Sequence, residues 1–488
     1  MSSRRSFKTD VSFLEKISAG AIGTNRVFED LKLQGHFPIE LERGSMGFKI
    51  WKKIKIKRVR VPDILCVKCG IRIESRAKTD LQITMSHSVS DPKRGWDFGL
   101  ADNDWIAFVK CSKSGDRPID WKADDLVQYV KVKEMRKSLA ENKVLEVKPK
   151  GATEGFEARL TWPAAIANGE GCVVEIDSSR LKYRRKADSR IIPLSLKKGD
   201  IVLSPLVHAG DIVRQNQILA SVVPVSNKVQ CNDALSQCYY LDLLKSTSIS
   251  ERYGAAKALS CFKSNETFQA LKQRMNDEKE HIYIRLEAAS SILKLGSKES
   301  IPFFEKMIHD SYLENRLECV IVLGEVNQSE ASDLLIKVLL DDKQHSEIRA
   351  GVAWSLGELM DKKALNALVE AFNAVEKDIK VEAARALAKL NERFTDATLK
   401  LMPASNEIQR AGISWSLSKT GNFTVQDLMP LMTDEEAKKW VAWILGTQKE
   451  QKYISQIEEL KSKDKEVYFA VTVLWKALSS WVNGLEIY

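Results

Sequence analysis

The spacing of apolar residues changes character near residue 230. Behind that point they recur at three and four, the period of helices with one buried face. A frame returns there: a basic residue, two positions, two small or β-branched residues and a Leu. Arg252 precedes Ala255 and Ala256, Arg285 precedes Ala288 and Ala289, and Arg316 precedes Cys319 and Val320. Arg349 precedes Val352 and Ala353, Lys380 precedes Ala383 and Ala384, and Arg410 precedes Ile413 and Ser414. The basic anchors lie 33, 31, 33, 31 and 30 residues apart. Second amphipathic segments at Ile301–Asp310, Ser332–Asp341 and Ala364–Asn373 make each unit a helix pair.

The period falls below the ~40–47 residues of common HEAT and armadillo units, and the ankyrin and tetratricopeptide signatures are missing. The stretch from 231 to 488 therefore resembles HEAT-like repeats of the short variety. That resemblance implies an α-solenoid that presents a concave surface to a partner. The anchor arginines are expected to tie neighbouring repeats together. Trp354, Trp415 and Trp443 each follow an anchor, or its equivalent Lys438, by five residues. They read as indoles filling the seams between helices, with a stripe for stacking bases as the alternative.

Ahead of residue 148 the rhythm is mixed. A helix reading Gly23–Leu33 stops at Gln34-Gly35 and leads into a strand at Phe37–Leu41. In a second strand Ile54, Ile56, Val59 and Val61 alternate with Lys53, Lys55, Lys57, Arg58 and Arg60, with one slip of phase that reads as a bulge. A tight turn at Cys66-Val-Lys-Cys69-Gly70 separates Pro62-Asp63-Ile64-Leu65 from an alternating strand at Ile71–Lys78, and later strands follow at Trp105–Lys110 and Leu126–Val132. From 150 to 228, prolines, glycines and short β-branched runs at Cys172–Ile176 and Ile201–Leu203 predict a small β domain.

Composition fits several globular domains: 488 residues, 44% hydrophobic and 29% charged, suggest about three at ~100–200 residues each. No apolar run approaches the ~18 residues of a membrane span, and the start MSSRRSFKTD lacks the apolar stretch of a secretory signal. The expected location is cytoplasmic, and eight scattered cysteines suit a reducing compartment. Charge divides unevenly. Residues 1 to 230 hold 42 Lys+Arg against 28 Asp+Glu, a balance of +14, whereas residues 231 to 488 hold 33 against 38, a balance of −5. The front half is thus suited to a polyanion such as nucleic acid.

A helix bearing Glu29, a strand, and a hairpin with Asp63 before its turn and Glu74 after it resemble the PD-(D/E)xK nuclease superfamily of restriction enzymes and junction resolvases. Two carboxylates on adjacent strands can hold Mg²⁺, which acidifies a water for attack on phosphorus, while a nearby cation steadies the developing charge. The resemblance implies that Asp63 and Glu74 bind Mg or Mn, that Glu29 supports them, and that Lys78 or Arg76 is the cation. The family places Lys two residues after the acid. Here Arg76 stands there, and Lys78 follows two positions further along the same face of the strand. Surface ion pairing on an ordinary hairpin is the alternative. Nucleic acid is expected along Lys53, Lys55, Lys57, Arg58 and Arg60, and at Arg184 and Arg185 in the basic segment Leu181–Arg190.

Cys66-x-x-Cys69-Gly70 has the form of a zinc knuckle, in which the Gly lets backbone amides approach both sulfurs. It supplies two of four ligands, and His87 and Cys111 are the nearby residues that could add more. Two packed thiols or a transient disulfide remain alternatives. The stretch Leu203–Ala220, with its Gly210-Asp211 turn, resembles the final hairpin of the biotinyl and lipoyl sandwich family, without the lysine those carriers modify. A P-loop, a GxSxG elbow and HExxH are all missing, and the six histidines are scattered.

The chain therefore reads as multidomain. It comprises a restriction-endonuclease-like α/β domain at 1–148, a small all-β, barrel-sandwich-like domain at 149–230, and an α-solenoid of HEAT-like repeats at 231–488. The nuclease resemblance implies a metal-dependent DNA endonuclease of restriction or phage defence, its solenoid holding a protein partner, a second copy or the substrate. The competing expectation is a non-catalytic nucleic-acid or protein adaptor that keeps a degenerate nuclease fold.

Overall fold

Gln34 and Gly35 end a helix as their residue types predict. Gly35 takes φ +84°, and the amides of Gly35 and His36 return to the carbonyls of Lys32 and Leu31 at 3.0 Å each, a Schellman closure. A computed structural model describes residues 10–481, apart from 45–53, 55–58, 89–90, 117–118, 148–156, 232–233 and 449. The chain divides into two compact units, one of Met1–Ile50 with Arg58–Cys261 and the other of Trp51–Lys57 with Phe262–Tyr488.

In the first unit α1 spans Asp10–Leu33, beginning well ahead of the expected Gly23. Gly23 faces the sheet: a methyl group there would lie 2.8 Å from Ala77 Cβ, so the glycine permits close approach rather than starting the helix. Then come β1 (Pro38–Glu40), β2 (Ile64–Cys66), β3 (Arg72–Lys78), β4 (Ile83–Ser88), β5 (Trp105–Lys113), β6 (Trp121–Lys131) and α2 (Val132–Ala140). A five-stranded sheet has the order β1-β2-β3-β5-β6. It is antiparallel except where β3 and β5 run parallel.

Strand β5 shows why the sheet is covered on both faces. Ala107 and Val109 pack with Val27, Leu31 and Ile73, while the alternate residues Ile106 and Phe108 pack with Trp96, Met135 and Trp162. The expected strand Leu126–Val132 gives way one residue early, since Val132 opens α2.

Strands β7 (Leu145–Val147) and β8 (Glu157–Trp162) join β4 in a separate sheet. The remaining strands are β9 (Ala164–Ile166), β10 (Gly171–Ile176), β11 (Arg180–Arg185), β12 (Ile191–Ser195), β13 (Lys197–Lys198), β14 (Ile201–Val202), β15 (Ser204–Pro205), β16 (Ile212–Val213) and β17 (Ile218–Ser221). Sheets β12-β11-β10-β16 and β15-β17-β9 share a core that includes Val173, Leu181, Tyr183, Val213 and Leu219. The Gly210-Asp211 turn is present, with Gly210 at φ +91°. The strands on either side of it do not form a hairpin with each other, because β15 pairs with β17 and β16 pairs with β10. Helices α3 (Gln237–Leu243) and α4 (Ile249–Ala258) complete this unit.

The second unit is a helical-repeat solenoid. Its helices are α5 (Asn265–Asn276), α6 (Ile282–Lys294), α7 (Ile301–Ile308), α8 (Leu313–Leu323), α9 (Ser329–Leu340), α10 (Ser346–Leu359), α11 (Ala364–Glu370), α12 (Lys377–Leu399), α13 (Glu407–Thr420), α14 (Val425–Leu428), α15 (Glu435–Gly446), α16 (Glu450–Tyr453), α17 (Ile457–Lys463) and α18 (Lys465–Trp481). Helix α12 holds two helices in one, with a break at Phe394.

The repeat frame has a physical basis at both ends of its lead helix. Four residues ahead of each of four anchors stand His281, His345, Asn406 and Asp434, whose side chains accept the first free backbone N–H groups of α6, α10, α13 and α15. The anchors themselves reach backwards. Arg285 Nε donates to Met275 O at 2.9 Å, Arg349 Nε to Leu339 O at 2.9 Å, and Arg410 Nε to Met402 O at 3.1 Å. Arg285 and Arg349 thus satisfy carbonyls at the ends of α5 and α9, where intrahelical partners run out, and Arg410 satisfies one in the turn that follows α12. The small pairs after the anchors are buried, including Ala288, Ala289, Cys319, Val320, Val352 and Ala353. Trp354, Trp415 and Trp443 are half-buried. Among the described residues no helix is long and apolar enough to cross a membrane.

Candidate functional site

The first unit's chemistry gathers where β2 stops short. This strand pairs with β3 only at Ile64–Ile73 and Leu65–Arg72, leaving the edge of β3 without that neighbour from Glu74 onward. Asp63, one residue ahead of β2, takes the vacant ladder position: its Oδ2 accepts the Ser75 N–H at 2.7 Å. Its backbone carbonyl accepts from Leu41 N at 2.7 Å. A short strand therefore fixes the Asp63 carboxyl beside the residue that follows Glu74.

Both acids are withdrawn from water. Burial pushes the Asp63 carboxyl well above its ordinary range, and the charges of Glu74 and Glu42 push it further. Burial also raises Glu74; Arg76 opposes the shift, while Glu42 adds to it. Arg76 Nη2 meets Glu74 Oε1 at 2.7 Å. Lys78 Nζ donates to Thr84 O at 2.5 Å and to Thr84 Oγ1 at 3.1 Å. Burial, then the neighbouring Arg76 and Arg159, pull Lys78 down to about 8.

Glu74, Arg76 and Lys78 line a cleft of about 950 Å³ together with Glu15, Lys16, Glu42, Arg60, His87, Arg94 and Arg159. Cations outnumber acids in this lining, so the cleft can receive an anion. The structure thus places Asp63, Glu74, Arg76 and Lys78 in one neighbourhood. Glu29 lies apart, exposed and paired with Lys32 at 2.9 Å. The earlier start of α1 brings Glu15 to the cleft instead, where it pairs with Lys113 at 2.5 Å. Neither Glu15 nor Glu42 carried a motif in the sequence. They are found by where α1 and β1 lie.

The basic strand is largely beyond view: Lys53, Lys55, Lys57 and Arg58 lie outside the described residues. Arg60 is exposed at the cleft. Arg184 is exposed on β11, whereas Arg185 is engaged by Asp188 at 2.6 Å and reaches Asn168 Oδ1 at 3.3 Å. Arg72 is structural, gripping Asp104 through two bonds of 2.8 and 2.7 Å.

Cys66 and Cys69 sit at the end of β2 and in its turn, and their neighbours differ from those expected. His87 lies on β4, lining the cleft, and Cys111 is buried on β5 with its Sγ toward Ala19 O. The knuckle instead meets His36 and Cys231, the ligand atoms of all four lying within 4.8 Å of one another. Hydrogen bonding to Cys69 draws the Cys66 thiol down to about 3, with His36 and backbone amides adding to the effect and burial opposing it. The Cys69 thiol is driven up by its bond to Cys66. Spacing could not disclose His36 or Cys231, which the fold brings in from far along the chain.

Comparison with known proteins bears on the second unit. The HEAT repeats family matches residues 307–388, so the C-terminal region carries HEAT repeats. No curated protein matches the chain. Among solved structures, the complex of CpcE and CpcF of phycocyanin lyase from Nostoc sp. PCC7120 is similar at 18% identity and TM-score 0.26, over 51% of this chain and 97% of that one. Human deoxyhypusine hydroxylase in complex with glycerol is similar at 15% identity and TM-score 0.20, over 43% of this chain and 83% of that one. A designed armadillo repeat protein in complex with the peptide (KR)4 is similar at 18% identity and TM-score 0.24, over 44% of this chain and 99% of that one.

Proposed function

We propose that the chain is a repeat-based adaptor whose solenoid binds a protein partner. The observation that carries this reading is the repeat unit itself. Stacked helix pairs bury their seams against one another and leave a long continuous surface for recognition. Apolar residues recur at the N-terminal ends of its lead helices: Tyr312, Val375 and Ile408 are 63, 93 and 51% exposed. Tyr312, Val375 and Ile408 stand four, five and two residues ahead of Arg316, Lys380 and Arg410, and large apolar groups left in water near the starts of α8, α12 and α13 favour a protein partner over a nucleic acid, as does the acidic balance of this half. A photo-crosslinking residue at position 375 should give a discrete protein adduct that Tyr312→Glu and Ile408→Glu remove. Adduct formation indifferent to both changes would count against the reading.

The Asp63–Glu74 neighbourhood favours a second reading, a metal-dependent phosphodiesterase of the PD-(D/E)xK kind acting on nucleic acid. Two buried carboxylates held above their ordinary range by burial, Asp63 also by the charge of Glu74, suit a hard divalent cation, and Ser75 Oγ lies buried beside them without a hydrogen-bond partner. Asp63 and Glu74 would hold Mg²⁺ or Mn²⁺. The metal, when bound, would acidify a water and neutralise charge at phosphorus. Arg76 and Lys78 would steady the phosphate, with Arg60, Arg94 and Arg159 receiving the flanking backbone. Incubation of the purified chain with duplex DNA, single-stranded DNA and RNA separates the readings. Metal-stimulated cleavage lost in Asp63→Asn and Glu74→Gln supports the phosphodiesterase. No cleavage on any substrate leaves the adaptor alone.

A further inference from the structure

Four potential metal ligands meet at the junction of three chain segments in the first unit. His36 follows the Schellman turn of α1, Cys66 and Cys69 flank the β2–β3 turn, and Cys231 lies ahead of α3. We propose that His36, Cys66, Cys69 and Cys231 form a structural zinc site that ties these segments together.

The distances suit one ion. A tetrahedral site with Zn–S of about 2.3 Å and Zn–N of about 2.0–2.1 Å separates two sulfurs by about 3.8 Å and a sulfur from a nitrogen by about 3.6 Å. Cys66 Sγ and Cys231 Sγ are 4.0 Å apart, and Cys69 Sγ is 3.5 Å from His36 Nδ1. The donor set is three sulfurs and one imidazole, a composition typical of closed structural zinc sites.

The surroundings are those such a site requires. Zinc-binding histidines direct their second nitrogen to a carbonyl or carboxylate, which fixes tautomer and ring plane. His36 Nε2 meets Val229 O at 2.9 Å, leaving Nδ1 toward the sulfurs. A thiolate needs N–H donors, and Phe37 N donates to Cys66 Sγ at 3.3 Å. Gly70, at φ +73°, closes the knuckle, its N–H donating to Cys66 O at 2.8 Å. A side chain at Gly70 would be both strained and in collision, since a Cβ there would lie 2.6 Å from Leu235 Cδ1. Packing of the segment before α3 thus calls for the same glycine as the knuckle.

A disulfide explains fewer of these features. Two sulfurs bond at about 2.05 Å, and such a pair would leave the third thiol and the imidazole converging for no purpose. Zinc would also anchor the end of β2, three residues from Asp63, so the ion would hold the strand that places the Asp63 carboxyl against Ser75 beside the cleft.

The test is the metal content of the full-length chain after purification with zinc present and dialysis against metal-free buffer. One zinc per chain is expected, released by a thiol-modifying mercurial. Cys231→Ser should weaken binding by at least the roughly 10–100-fold caused by losing a ligand's hydrogen-bond partner alone, while Cys238→Ser, at an exposed cysteine, keeps full occupancy. Cobalt loading of the wild type needs no variant to fold, and should give the absorption of tetrahedral cobalt bound to thiolates. Absence of metal, occupancy insensitive to Cys231→Ser, iron in place of zinc, or a Cys66–Cys231 disulfide in the mass spectrum would each overturn the assignment. None of these readouts depends on partner binding or on nuclease activity.

Discussion

The Ser75 N–H donates to Asp63 Oδ2 at 2.7 Å, so a side chain from the start of one strand completes the hydrogen bonding of the next. This bond serves geometry whether or not the cleft performs chemistry, and it separates two substitutions usually treated as equivalent. Asp63→Asn keeps an acceptor for the amide and removes a buried charge. Asp63→Ala leaves the amide without its partner, at a cost of about 1–3 kcal/mol. The Asn variant should unfold no earlier than wild type and the Ala variant earlier, as followed by near-UV circular dichroism on heating. Equal losses in both would show that the carboxylate's charge, and not its hydrogen bond, supports the fold.

Lys78 gives a pH dependence of definite sign. Its folded value is lowered to about 8 from 10.5 by burial and by Arg76 and Arg159. The folded state therefore resists protonation of this amine. The stability this group contributes is present above 10.5 and is lost as pH falls through about 8, amounting to as much as roughly 3 kcal/mol. Lys78→Met should raise the unfolding midpoint of the first unit at pH 7, and the advantage should vanish above pH 10.5. A stabilisation that is the same at both pH values would mean that packing, not charge, accounts for it.

The anchors of the solenoid divide into two classes with separable costs. Arg349 is buried and satisfies Leu339 O at 2.9 Å, whereas Lys380 is half-buried on α12. Arg349→Ala should destabilise the solenoid by about 1–3 kcal/mol, since it strands a helix-terminal carbonyl. Lys380→Ala should stay within about 0.5 kcal/mol of wild type. Urea titration of both variants measures the difference, and equal costs would refute the tie as the reason for the repeat's basic position.

Elements set by local pattern were the ones legible in the sequence. The helix pairs repeat within some thirty residues, so periodicity alone located α7, α9 and α11. The Asp63 to Glu74 hairpin was likewise readable, because alternation and a Cys-x-x-Cys-Gly turn lie within one short window. What depended on distant packing was not. Glu29 reads as the helix acid when the pattern starts the helix at Gly23; α1 begins at Asp10, carries Glu15 to the cleft and leaves Glu29 exposed. His87 and Cys111 were nearer in sequence to the knuckle than His36 and Cys231, but β4 and β5 carry them elsewhere. The cap roles of His281 and His345 rest on a constant offset of four residues from an anchor, which the histidines' own spacing does not display.

Leu356 tests whether the repeats cohere through their seams. It is fully buried on α10, and its neighbour Gly357 lies so close to α12 that a Cβ there would be 3.0 Å from Ala386 Cα. With helices at that separation, a carboxylate at position 356 can reach neither water nor a cation without parting them. An unpaired buried charge costs several kcal/mol, and in a stack where each repeat is held by its neighbours the loss spreads along the array. Leu356→Asp should therefore remove much of the helical far-UV signal and expose the second unit to protease. Leu356→Met, close to it in volume, should cost less than about 1.5 kcal/mol. Trp96 and Trp162 pack in the first unit at a centroid distance of 5.1 Å, and hydrogen exchange across β8, which carries Trp162, reports on that unit separately. Protection there should survive Leu356→Asp, whereas its simultaneous loss would mean that the two units unfold as one.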